Sequence, residues 1–233
     1  MAIPPYGRCP QGAVWIMSDA FYNFLWYTGA HVFWASSRPV VMNAEVTRRR
    51  GPFIVASNHT SPYDVPILMR HTARNLDFVS IVEVFRKPLV GWFYGSMNAF
   101  PLDRSKPDSP TVRIILDRLA RGRVVAMFPE GGFRSGDASI THGGKMRPGI
   151  GRIAQLADVP IVPVVVVKSG LYSRPIHWLP IRRTRYGIAY GEPLFLRPDL
   201  PKNEAAQEIE SRLAGAFIDL YQSLIRTMES PKR

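Results

Sequence analysis

The stretch Asn58-His59-Thr60-Ser61-Pro62-Tyr63-Asp64 sets an imidazole shortly ahead of a carboxylate. Ser61 followed by Pro62 is a helix-start signal, a capping hydroxyl and then a residue preset for the first turn. His59 is therefore expected on a loop at a helix N-terminus, with Asp64 in the first turn. A return loop of that size can bring the carboxylate to one ring nitrogen and leave the other as a proton acceptor. The carboxylate then fixes the tautomer and stabilises the imidazolium that forms on proton uptake. This is general-base chemistry, with His59 as the base and Asp64 as its partner. A lone histidine is more often structural than catalytic, so the spacing alone specifies little.

Other chemistries find less support. No Gly-x-Ser-x-Gly elbow is present, and the single cysteine, Cys9, lies far from His59 in the sequence. One cysteine also rules out an internal disulfide framework and any multi-cysteine metal site. The five histidines show no close pair, since His59 and His71 are too far apart for adjacent helical turns. No metal and no cofactor are expected. Gly149-Ile150-Gly151-Arg152-Ile153-Ala154 fits a loose dinucleotide-binding pattern, but no strand precedes it.

The elements that must position His59 alternate in type. Phe53-Ile54-Val55-Ala56, Phe78 to Val82, Arg123 to Phe128 and Ile161 to Val167 read as buried strands. Pro163 calls for an edge position or a bulge in the last of these. Ser109-Pro110 opens a helix whose Val112, Ile115, Leu116 and Leu119 share a face, with Gly122 as its stop. A further helix is expected from Pro148 to about Ala157, and a strand at Tyr186 to Tyr190. Asn203 to Met228 carries Ile209, Leu213, Phe217, Leu220 and Leu224 on one face, an amphipathic helix. The pattern predicts an α/β domain, a mostly parallel or mixed sheet flanked by helices.

The chain has 233 residues, 46% of them hydrophobic, enough for one sizeable core. Its formal charge of +12 comes from 30 Lys and Arg against 18 Asp and Glu, and asks for an anionic partner. The cations are scattered, with small clusters at 48–50 and 182–185. No long basic tail and no recognised nucleic-acid module is present, so a nucleic-acid partner is not expected. Between Ala13 and Val41 lie Trp15, Phe21, Tyr22, Phe24, Trp26, Tyr27, Phe33 and Trp34, interrupted by Asp19, Asn23 and His31. That is a poor bilayer span and a better helix for the headgroup interface, where aromatic rings with a polar edge are favoured. A helix packed on the protein's own core is the alternative. Residues 1–45 are accordingly assigned to a membrane-associating helical segment and 46–233 to the catalytic domain.

Four ordered motifs raise the specificity of the His59 signal. The heptapeptide at 58–64 resembles the first motif of the glycerolipid acyltransferases, a family that includes bacterial 1-acylglycerol-3-phosphate acyltransferases. Phe100-Pro101-Leu102-Asp103-Arg104 resembles the second, with Asn98 where a glycine is common. Phe128-Pro129-Glu130-Gly131-Gly132-Phe133-Arg134-Ser135 resembles the third, usually Phe-Pro-Glu-Gly-Thr-Arg-Ser, with one extra residue between Gly131 and Arg134. Val159-Pro160-Ile161-Val162-Pro163-Val164 resembles the fourth.

The resemblance implies direct attack of an acceptor hydroxyl on an acyl thioester, with no acyl-enzyme. The expected reaction converts 1-acylglycerol-3-phosphate to phosphatidate, and another lysolipid, such as a lyso-amino lipid or glycolipid, is the alternative acceptor. A non-catalytic lipid-binding protein of the same fold is the third option. The donor is acyl-CoA or acyl carrier protein. Arg104 and Arg134 are the best phosphate ligands, because a planar guanidinium binds phosphate in bidentate fashion. Arg147 is a third anion candidate, while Lys145 and His142 on the same loop are explained equally well as solvated. Glu130 is expected to bind the glycerol hydroxyl or orient the arginines. Gly131 and Gly132 allow close backbone approach, so that their amides line an anion site. The enzyme is expected to be peripheral or monotopic on the cytoplasmic face of the membrane. Trp92-Phe93-Tyr94 and His177 to Arg183 are further candidates for docking on it.

Overall fold

The computed structural model describes residues 13–81, 98–102, 109–181 and 183–230. Its centre is a seven-stranded sheet of order β1-β7-β6-β2-β5-β3-β4. The strands are β1 (Val40–Met42), β2 (Phe53–Ser57), β3 (Leu76–Ile81), β4 (Phe100–Leu102), β5 (Val124–Met127), β6 (Ile161–Val167) and β7 (Gly187–Tyr190). Five of them, from β6 to β4 across the sheet, run parallel. The last, β7, is antiparallel to β6, and β1 runs with β7. The sheet is thus mixed, as expected.

Helices cover both faces, and strand alternation sorts the core between them. Phe53 and Val55 join Ile67, Leu68, Tyr172 and Tyr186 on one face, under α1 (Ala13–Ser36) and α2 (Asp64–His71). Ile54 and Ala56 join Ile115, Leu119, Ile153 and Phe217 on the other. That face lies under α3 (Ser109–Ala120), α4 (Ile150–Ala157) and α5 (Lys202–Glu229). The period-3.6 apolar stripe of α5 buries Ile209, Leu213, Phe217 and Leu224 as expected. Gly122 ends the α3 turn at φ 76°, a left-handed position that a glycine occupies without strain.

Pro163 sits in β6, between β7 and β2, and aligns with Ala56. Val166 donates its N–H to Asn58 Oδ1 on the β2 side, so alternation turns the nitrogen of position 163 the other way. On that side Gly191 donates to Pro163 C=O at 2.8 Å, and the next pair is Ile161 with Leu194. One extra residue therefore lies on the chain after β7, an irregularity of the bulge kind expected beside this proline.

The N-terminal helix packs one side on the protein's own core, the alternative reading of its sequence. Tyr22 and Phe33 are buried in the core, Phe33 packing on Tyr172 and Trp178. Phe24, Tyr27, Val32 and Trp34 are exposed on its outer side, Trp34 at 70%. The sheet takes its first strand from Val40–Met42, upstream of residue 46, and residues 13–36 pack on it as one of its covering layers. No helix among the described residues is long and apolar enough to cross a membrane.

Asp19 fastens α1 to the sheet. Arg123 grips Asp19 with two hydrogen bonds of 2.8 and 2.9 Å and Asp77 with two of 2.6 Å. Arg118 reaches the same Asp77 at 2.9 Å. Partial burial pushes the Asp19 carboxyl up, but hydrogen bonds and charge from Arg123, with Asn98, bring it below its usual range. Asn98 donates to Asp19 at 2.7 Å and occupies φ 62°. That backbone explains why an asparagine can stand where the family commonly has glycine, since Asn is the side-chain-bearing residue that best tolerates the left-handed region.

Candidate active site

His59 leaves the C-terminal end of β2, where an α/β sheet opens its crevice. Asn58 prepares the exit. Its amide accepts from Val166 N–H at 2.8 Å and donates to Val166 C=O at 2.9 Å, extending the β2–β6 ladder by one side chain. His59 Nδ1 then meets Asp64 Oδ2 at 3.0 Å. That same oxygen accepts the N–H groups of Thr60 at 2.7 Å and Ser61 at 2.9 Å. A carboxylate with such donors is held in one orientation, and as an acceptor it turns Nδ1 into the donor and leaves Nε2 as the acceptor. Asp64 is fully buried, whereas the His59 side chain is 15% exposed. Among the described residues nothing bonds to His59 Nε2.

The local helix start differs in detail from expectation. α2 begins at Asp64 itself, and Ser61 Oγ accepts from Tyr63 N–H at 3.2 Å instead of capping the helix. Ser61 Oγ also donates to Ser169 Oγ at 2.9 Å, which stands 3.0 Å from Thr60 Oγ1. Ser169 follows β6 and is fully buried, so three hydroxyls lock the loop to the next strand. Asp64 acts at once as the imidazole's partner and as the clasp of its own turn.

Glu130 is 2% exposed, and both of its oxygens are engaged by protein. Oε2 accepts the His59 N–H at 2.5 Å, while Oε1 accepts Ser139 Oγ at 2.8 Å and Ile140 N–H at 2.9 Å. Its geometry is that of a strut between the His59 loop and the 139–147 loop. Arg147, on that second loop, lays its side chain across Gly131. Its Nε, Cδ and Cζ all stand under 3.0 Å from where a Cβ on Gly131 would be. Gly131 also has φ +66°, so both backbone and space demand glycine there. Its amide closes a turn onto Phe128 C=O at 2.9 Å. Of the two glycine amides only that of Gly132 is left without a bond among the described residues, and a Cβ there would meet open space.

Two aromatic rings hold the imidazole. Phe128 stacks on His59 at 3.9 Å and 17°, and Phe133 leans on it at 4.4 Å and 53°. The Arg134 side chain is exposed, but its backbone N–H donates to His59 C=O at 2.8 Å. Arg134 and Arg147 have no acidic partner among the described residues. His142 shares a hydrogen bond with Thr141 Oγ1 at 3.0 Å and rests on Tyr221, away from the base, while Lys145 is solvated. Arg104, Trp92, Phe93 and Tyr94 lie outside the described residues. The parts that sequence reasoning missed are Asn58, Ser139, Ser169 and the two phenylalanines. Asn58, Phe128 and Phe133 carried a signal, their places in the first and third motifs, while Ser139 and Ser169 carried none.

A mixed α/β sheet thus delivers a histidine–carboxylate pair from the C-terminal end of a central strand. The acyltransferase family profile matches residues 38–167, more than half of the chain, and the chain belongs to that family. The 1-acyl-sn-glycerol-3-phosphate acyltransferase of Bacillus subtilis is 27% identical over 156 residues, covering 66% of this chain and 72% of that protein. The chloroplastic enzyme of the same description from Brassica napus is 31% identical over 121 residues, 51% of this chain. The chain spans only about a third of that relative's length (34%). The lyso-ornithine lipid O-acyltransferase of Pseudomonas aeruginosa is 33% identical over 121 residues, 50% of this chain and 43% of that one. The crystal structure of the 1-acyl-sn-glycerophosphate acyltransferase of Thermotoga maritima superposes with a TM-score of 0.63 at 20% identity, over 97% of this chain and 86% of the other. At that identity the superposition speaks for the fold.

Proposed function

We propose that this chain transfers a fatty acyl group from acyl-CoA or acyl carrier protein to the free hydroxyl of a lysolipid, first of all 1-acylglycerol-3-phosphate. The observation that carries this reading is the His59–Asp64 pair, with Nδ1 spent on a buried carboxylate and Nε2 free. In the reaction the acceptor hydroxyl gives its proton to Nε2 as its oxygen attacks the thioester carbonyl. The tetrahedral intermediate then expels the thiolate, which takes the proton from the imidazolium and leaves as thiol. Asp64 stays ionised and stabilises the imidazolium between the two steps. The Gly132 amide is the backbone donor free for the oxyanion, and Arg147, Arg134 and Arg104 are the cations for the acceptor's phosphate. Glu130 acts as a positioning residue for both loops.

The second acceptor class, a lysolipid without a phosphate beside the hydroxyl, is favoured by one observation: Phe133, not an arginine, stands next to the base. The test is to incubate purified protein with acyl-CoA and lysophosphatidate beside a His59→Ala control. Product that disappears in the mutant supports the reaction and its base, and substantial residual turnover removes His59 from the role.

The exposed ring face of α1 supports docking on the cytoplasmic face of a membrane. Trp34 lies under the Arg183 guanidinium at 5.8 Å, and the 175–181 segment packed against α1 exposes Ile176, Leu179 and Ile181. Apolar side chains beside arginines suit an anionic headgroup layer, where each cation contributes about 1 kcal/mol. Failure to sediment with anionic liposomes at low salt would overturn this docking.

A further inference from the structure

The third motif exceeds the family's usual spacing by one residue between Gly131 and Arg134, and Phe133, one of the two residues that stand there, touches the His59 imidazole. Its placement is fixed by neighbours on both sides. Gly131 turns the chain at φ +66° and closes onto Phe128, while Arg134 N–H is tied to His59 C=O at 2.8 Å. The residue between that turn and that tie must sit beside the imidazole, and its ring lies 4.4 Å from it. With the usual spacing the arginine would be one residue nearer the turn. Here an aromatic ring occupies that ground, and the Arg134 side chain stands exposed beyond it.

The ring is also 56% exposed, although it rests against a buried dyad. A large apolar surface left open at the mouth of a site is a contact waiting for hydrocarbon. The hydrocarbon that must come there is the part of the acceptor flanking its free hydroxyl, because that hydroxyl has to reach His59 Nε2. A phosphate cannot share the ring's position without losing its water to an apolar face.

We propose that Phe133 is the specificity-determining residue for the acceptor. It packs on the hydrocarbon beside the reacting hydroxyl, sends any headgroup anion outward to Arg147 and Arg134, and so admits lysolipids that carry no phosphate next to that hydroxyl. This rests on the reading of His59 as the base of an acyl transfer.

The experiment compares lysophosphatidate with monoacylglycerol of the same chain, with wild type, Phe133→Ala and a deletion of Phe133. Wild type should use both acceptors with kcat/KM within about tenfold of each other. Phe133→Ala should raise KM for monoacylglycerol about tenfold and KM for lysophosphatidate much less, as expected for the loss of one apolar contact. The deletion, which restores the common spacing, should shift preference toward lysophosphatidate by about tenfold or more. Strong rejection of monoacylglycerol by wild type, or an unchanged KM for it in Phe133→Ala, would overturn the proposal. Because Phe133 is largely exposed, the alanine variant keeps the test valid if the deletion does not fold.

Should wild type turn over neither acceptor, the acyl-transfer reading fails by itself. Calorimetric binding of both lysolipids to wild type and Phe133→Ala, without donor, then decides on Phe133. Binding that depends on the ring upholds it, and equal binding sinks it.

Discussion

Two charged assemblies occupy opposite ends of the same sheet and do different work. At the N-terminal ends of β3 and β5, Asp19, Asp77, Arg118 and Arg123 bind one another through several short contacts. At the C-terminal end of β2, Asp64 binds His59 but leaves one imidazole nitrogen without a partner among the described residues. Both contain a fully buried aspartate. The difference lies in what remains after internal bonding. A cluster whose charges answer each other holds α1 to the sheet, whereas a pair with an unused nitrogen can exchange a proton with a substrate.

His59→Ala tests that contrast most severely. Turnover should fall about a hundred- to ten-thousandfold, with the melting temperature nearly unchanged. A large loss of stability instead would make the pair a structural element like its counterpart.

Asp77→Ala is the mirror experiment. It takes the shared carboxylate away from Arg118, which is buried, and from Arg123, which keeps Asp19, and should cost about 3–5 kcal/mol in urea unfolding. If stability were kept and catalysis lost, the division between the two ends would collapse.

A second histidine sharpens the contrast. His71 hydrogen-bonds to Tyr186 OH at 2.7 Å through Nε2, and burial, aided by the charge of Arg70, pulls its pKa down to about 4. The unfolded chain, with a histidine titrating near 6.5, takes up the proton first. Stability should therefore be full above that value and fall as pH drops toward 4, by up to about 3 kcal/mol. His71→Gln should flatten the dependence in pH-resolved denaturation. A wild-type profile already flat over that interval would show His71 not to be buried neutral.

The smallest effect is expected for Glu130→Gln. The amide keeps the shape but weakens the charge-assisted bond to the His59 N–H, about 1–3 kcal/mol. For a positioning residue that loss appears in kcat, with the acceptor KM little changed. A change confined to KM would restore Glu130 as a substrate ligand.

Much of the site was legible because its parts are close in sequence. His59, the loop and Asp64 fall within one turn, and the glycines of 131–132 follow a strand directly. The buried strands and the stripe of α5 were legible for the same reason, since alternation and the 3.6 period are local properties. Which irregularity accommodates Pro163 was not legible, because it depends on how the chain after β7 pairs with β6. The bracing contacts of Glu130 were not legible either, because they are made to the backbone of two other loops.

What the sequence determined by itself is the alternating α/β order, the contact of His59 with Asp64, and the family, all written in short-range patterns of polarity and spacing. Tertiary structure alone decided which charges are spent and which are free. Asp19 finds Arg123 across 104 positions and Ser169 closes on Thr60 across 109, distances at which no local period carries information. It also placed Phe133 against His59, because the tie from Arg134 to the His59 carbonyl exists only once β2 and β5 stand side by side.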